Sequence, residues 1–113
     1  MEFEKIVTTL KGCWSIHTSS KWEKDNPANG QCPVTALVIQ DNFGGRLLKT
    51  RVDGQWHFYN EIDGVIYDFT DSQFAEPIEY EDQPASRKEV LAETSQEQYT
   101  HLSGKFSAAW SSD

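Results

Sequence analysis

The chain has 113 residues, enough for one domain with one modest core and too few for two. Eighteen Asp and Glu against ten Lys and Arg leave a net charge of −8. Such a charge repels phosphate backbones and anionic bilayers, which argues against nucleic-acid or membrane partners.

Mean hydropathy is −0.64, yet six Phe, four Tyr and four Trp join a patterned apolar set, as in a folded globule rather than a disordered chain. Phe3, Ile6, Val7 and Leu10 recur at helical spacing, which predicts an amphipathic helix over residues 2–12 ending at Gly12. Residues 15–31 read as a long polar loop carrying Trp22 and Pro27. An apolar run then predicts a second helix over residues 32–43, with Pro33 in its first turn and Gly44-Gly45 closing it. At Gly45 the period changes to two. Residues 46–52, 55–62 and 65–70 read as strands joined at Asp53-Gly54 and Asp63-Gly64, both strong hairpin signals. Residues 71–85 are irregular, with a short strand near Ile78 and Tyr80, and Glu79, Glu81 and Asp82 read as a solvated acidic loop. Ser86 with Glu89, and Thr94 with Glu97, each fit a capping box, and a C-terminal helix follows near residues 95–109. The order predicts an α+β domain: an antiparallel sheet packed against a helix that carries a cysteine at its start.

That cysteine is Cys32, where a Gly-containing loop meets a helix. A thiol placed there faces unpaired backbone N–H groups and the positive end of the helix dipole, and both favour thiolate over thiol. His57 and Asp68 follow on neighbouring strands. With Asp63-Gly64 as a two-residue turn, Ile62 pairs with Val65 and Tyr59 with Asp68, so His57 and Asp68 are diagonal neighbours on one face. A three-residue loop would part them. The other face carries Trp56, Phe58, Asn60, Ile62, Val65, Tyr67 and Phe69 and reads as the core. The Cys32 helix is then the nearest apolar element to cover the His57 face.

Each of these residues has an ordinary reading of its own. Cysteine is often a small core hydrophobe, as expected for Cys13, and His57 and Asp68 are common strand residues. Their order, spacing and shared face make the combination a candidate Cys-His-Asp site. His17 and His101 read as surface residues, and Trp14 and Trp22 as core or loop anchors, with Trp22 also a candidate on the substrate side. Two cysteines and three histidines without CxxC or HxxxH spacing argue against zinc, and no metal or cofactor is expected. The start Met-Glu-Phe-Glu-Lys lacks the basic-then-apolar order of a signal peptide, so a cytoplasmic protein with reduced cysteines is expected.

At these residues the architecture resembles the minimal catalytic core of the transglutaminase-like branch of the papain-like superfamily, through Gly30-x-Cys32, Ala36, His57 and Asp68. In sequence the chain resembles the small bacterial YunG-like proteins, through Trp14-Ser15, Lys21-Trp22, Asn26-Pro27-Ala28, Gly30-Gln31-Cys32, Thr35-Ala36-Leu37, Phe43-Gly44-Gly45, His57, Tyr59-Asn60, Ile62-Asp63-Gly64 and Tyr67-Asp68. The second likeness implies a family and no substrate. The first implies a nucleophile at Cys32, a general base and acid at His57 and an orienting carboxylate at Asp68. Its oxyanion donors would be the Cys32 backbone N–H with Gln31 or Asn29. The substrate would be a peptide or other amide. The competing reading is a non-enzymatic acidic domain of the same fold, of the immunity or inhibitor kind, that binds a basic partner protein.

Overall fold

The computed structural model describes residues 1–111. Its elements are α1 (Phe3–Cys13), α2 (Cys32–Phe43), β1 (Arg46–Val52), β2 (Gln55–Ile62), β3 (Val65–Tyr67), β4 (Gln83–Ala85), α3 (Arg87–Leu91) and α4 (Gln96–Ser111). The strands form one antiparallel sheet in the order β3-β2-β1-β4. The architecture is α+β.

The two hairpins explain the register. Asp53 and Asp63 both take φ 51°, and Gly54 and Gly64 follow at 79° and 77°. Two successive positive φ angles make a tight turn that matches the twist of the strands, and Asp-Gly accepts them at low cost. The second turn sets Ile62 opposite Val65, Glu61 opposite Ile66 and Asn60 opposite Tyr67. This is the expected register, although the ladder stops at Tyr67 instead of reaching residue 70.

Other expectations shift. α1 runs through Gly12 to Cys13, since one glycine in a helix costs only about 1 kcal/mol. The short strand lies at Gln83–Ala85, not near Ile78 and Tyr80, and pairs with Leu47, Leu48 and Lys49 of β1. Ser86 and Glu89 form the capping box. At α4 the cap is Ser95, whose Oγ accepts from the Gln98 N–H at 3.1 Å, while Thr94 Oγ1 donates to the Gln98 side chain.

The largest correction concerns which face of the sheet α2 covers. Ala36 and Leu37 of α2 pack with Leu47, Phe58 and Val90, and Asn60 Nδ2 donates to the Ala36 carbonyl at 3.0 Å. The helix therefore lies on the Phe58–Asn60–Ile62 face, opposite His57. A larger cluster joins α1, α2 and α4 through Ile6, Leu10, Val34, Val38, Leu102 and Phe106. Trp56 stays half-buried at the rim, with Lys49 and Arg51 against its ring, and Val65 is 48% exposed on the edge strand.

The His57 face is covered by residues 70–82. Phe74 meets the His57 ring edge-on, with centroids 4.9 Å apart, and Tyr80 meets Tyr59 likewise. The acidic stretch is exposed, as expected, and is also tied to the sheet. Thr50 Oγ1 donates to the Glu79 carbonyl, Glu81 accepts from the Arg51 N–H, and Tyr59 Oη donates to Asp82 at 2.7 Å. His57 and Tyr59 are consequently buried, at 2% and 1% exposure.

Candidate functional site

α2 begins beside β2, so Cys32 and His57 line one cleft of about 290 Å³. Gly30 shapes the approach. Its φ is 73°, and a Cβ there would fall 2.5 Å from Ser19 Oγ and 2.7 Å from Lys21 Cβ. Only glycine fits this bend. The first helical hydrogen bond runs from the Thr35 N–H to the Gln31 carbonyl, and no side chain caps the helix start. The backbone donors ahead of Thr35 are thus unclaimed by a cap. Cys32 is half-buried, and Cys13 is buried and unpaired.

His57 Nε2 lies 2.6 Å from Asp68 Oδ2, with both side chains nearly inaccessible at 3% and 6% exposure. The hairpin register brings this pair together. Asp68 is itself clamped. Tyr80 Oη donates to Oδ2 at 2.8 Å, and the Thr70 N–H and Oγ1 donate to Oδ1 at 3.1 and 3.3 Å. Burial and the Asp68 carboxylate push the Tyr80 phenol up, so it remains a donor. The other nitrogen of His57, Nδ1, is buried and, among the described residues, has no partner in ordinary hydrogen-bond geometry. Burial of the ring is the largest single influence on its titration and disfavours the imidazolium. Hydrogen bonding and charge from Asp68 and from Cys32 outweigh it together, and the pKa is pushed up from 6.5 to about 9. The ring therefore favours the cationic form at neutral pH, held between the Asp68 carboxylate and the Cys32 side chain.

Of the other residues singled out from sequence, Gln31 is fully buried outside the cleft lining. Its Oε1 accepts from Thr18 Oγ1 at 2.8 Å and its Nε2 points to the Ser15 carbonyl at 3.5 Å. Asn29 lines the cleft, but its Nδ2 is committed to the Lys21 carbonyl and Glu23 Oε1. Trp22 packs against the main core. The Cys32 backbone N–H is left as the oxyanion candidate. Sequence reasoning missed Phe74, Tyr80 and Gln73. They sit in a stretch without periodicity, and their contacts reach partners far away in the chain. His17 and His101, read as unrelated surface residues, stack with centroids 5.1 Å apart.

Fold and site together define a class: an α+β domain whose cysteine, at a helix start, shares a cleft with a buried His–Asp pair on an antiparallel sheet. The chain belongs to the YunG family, whose description, YunG protein, matches residues 2–111. It is 58% identical over 104 residues to the uncharacterized protein YunG of Bacillus subtilis (strain 168), an alignment covering 92% of this chain and 90% of that protein. No solved structure matches the chain. Among the described residues no helix is long and apolar enough to cross a membrane.

Proposed function

We propose that this protein is a cysteine-dependent acyl-transfer or amide-hydrolysing enzyme on a minimal transglutaminase-like core. One observation carries the reading: His57 commits Nε2 to Asp68, its Nδ1 is buried and otherwise uncommitted among the described residues, and Cys32 lines the same cleft and acts on the ring. Asp68 fixes the ring, whose proton stands beside Cys32 and favours the thiolate as the attacking form. The Cys32 sulfur attacks a carbonyl carbon and a C–S bond forms. His57 gives its proton to the departing amine as the C–N bond breaks, leaving a thioester. Water or a second amine then attacks the thioester and passes a proton to His57, and the thiolate leaves. The Cys32 backbone N–H, at an uncapped helix start, would bind the oxyanion, a contact typically worth about 3 kcal/mol. The cleft lining mixes amide side chains, Asn29, Gln55, Gln73 and Gln98, with apolar ones such as Trp56 and Phe74, which suits an amide substrate.

The test has two arms. Iodoacetamide at mildly acidic pH, followed by peptide mass, labels Cys32 ahead of Cys13, whose thiol is 4% exposed and pushed up by burial. His57→Ala slows that labelling about tenfold or more, and Asp68→Asn slows it less. With p-nitrophenyl acetate, an acetyl group appears on Cys32 by intact mass. Equal labelling of both cysteines, a Cys32 rate indifferent to His57, or no acetyl adduct would sink the enzyme reading. It would leave the acidic domain that binds a basic partner, which the charge of −8 favours.

A further inference from the structure

We propose that Gln73 is a positioning residue that sets the approach of Cys32 to His57. The inference rests on the reading of these two as the reacting pair. Cys32 and His57 belong to different parts of the fold, and α2 packs on the sheet face opposite His57. Packing of α2 on β2 brings the two elements together, and the tie between the loop before α2 and the turn after β3 sets the approach of the two side chains. Gln73 is that tie. It closes a 3₁₀ turn at Asp71–Gln73, immediately after Thr70. Its Nε2 donates to the Thr70 carbonyl at 3.1 Å and to Thr70 Oγ1 at 3.2 Å. Its Oε1 accepts from the Gly30 N–H at 3.3 Å, across 43 positions of sequence. Its own carbonyl accepts from Asn26 Nδ2 at 3.1 Å.

One chain of hydrogen bonds thus runs from His57 to Asp68, Thr70, Gln73 and Gly30, two residues before Cys32. The far end is stiff, because Gly30 sits in a bend that no other residue fits. Side-chain carboxamides suit this task. One oxygen accepts and one nitrogen donates twice, so one residue holds two backbone segments at a fixed spacing. Removing it leaves each segment folded by its own contacts and frees the distance between them. A small misplacement of a reacting pair costs rate steeply.

The readout is the pH profile of Cys32 alkylation by iodoacetamide. Four titratable groups face the His57 ring, Cys32 at the start of α2, Tyr59 on β2, and Asp68 and Asp71 after β3, and Tyr80 of the covering segment reaches it through Asp68. None is altered by Gln73→Met, which keeps the length and removes both polar ends. At about pH 6.5 this variant should alkylate about tenfold more slowly than the parent, and at about pH 10, where any thiol ionises unaided, at the parent rate. His57→Ala, run alongside, separates the two ideas. If His57→Ala is slow and Gln73→Met is not, Gln73 has no positioning role. If His57→Ala is as fast as the parent, there is no reacting pair and the inference falls with it. Equal slowing of Gln73→Met at both pH values also overturns it, because access and not pairing would have changed. Asn26→Ala removes only the second tie and should show a smaller loss of the same kind. Should Gln73→Met not fold, an unaltered profile for Asn26→Ala overturns the proposal.

Discussion

Protonation of His57 should be legible in the stability of the whole domain. The ring is buried beside Asp68 and Cys32, and its pKa is pushed up to about 9 from 6.5. The folded state therefore binds a proton between these values that the unfolded chain has already released. The sign follows. A raised basic group contributes stability that is fully present below about pH 6.5 and is lost as the pH rises through about 9. At 1.36 kcal/mol per unit, the swing is about 3 kcal/mol. The side chain is 3% exposed, so solvent screening takes little from that figure. Against a total of about 5–15 kcal/mol for a domain this size, the effect is large. Urea unfolding at about pH 6 and about pH 10 would measure it, with His57→Gln as the reference. Cys13, whose thiol is also raised by burial, loses stability over the same alkaline range, and the reference subtracts it. The parent should lose about 3 kcal/mol more than His57→Gln across the interval. Parallel losses in the two proteins would refute the imidazolium–carboxylate contact as the cause.

Stability and reactivity should separate cleanly between the core and the cleft. Phe106 is fully buried in the main cluster, so Phe106→Ala should cost about 3–5 kcal/mol in urea unfolding. Cys32→Ser changes one atom at the rim of a cleft and should leave the thermal midpoint nearly unmoved; a large drop would mark Cys32 as packing. Two glycines should respond in opposite directions. Gly45 has φ 82°, and a Cβ would fall 2.1 Å from the Glu61 carbonyl oxygen, so Gly45→Ala should destabilise by more than about 2 kcal/mol. Gly104 lies within α4 with nothing inside 4 Å, so Gly104→Ala should stabilise by about 0.5–1 kcal/mol. Equal thermal shifts for the two would contradict both arguments.

Elements whose causes are local were legible along the chain. α2, β1 and β2 fall at the residues where the apolar period and the Gly-Gly and Asp-Gly signals put them. The two Asp-Gly turns fix strand register through backbone dihedrals alone, and that register sets Asp68, just past the ladder, within reach of His57. Only the tertiary structure decided which face of the sheet α2 covers, because both faces offered aromatic residues and the choice lies in packing between distant segments. Asn60 marks the outcome: a polar residue on a core face, satisfied by the Ala36 carbonyl. The segment over the His57 face was illegible for a related reason. Residues 70–82 have no repeat period, and side chains such as Phe74, Gln73 and Tyr80 take their roles from partners far away in the chain. A period reports the surroundings of a backbone that repeats; a contact made once, across 43 positions, leaves no pattern along the chain.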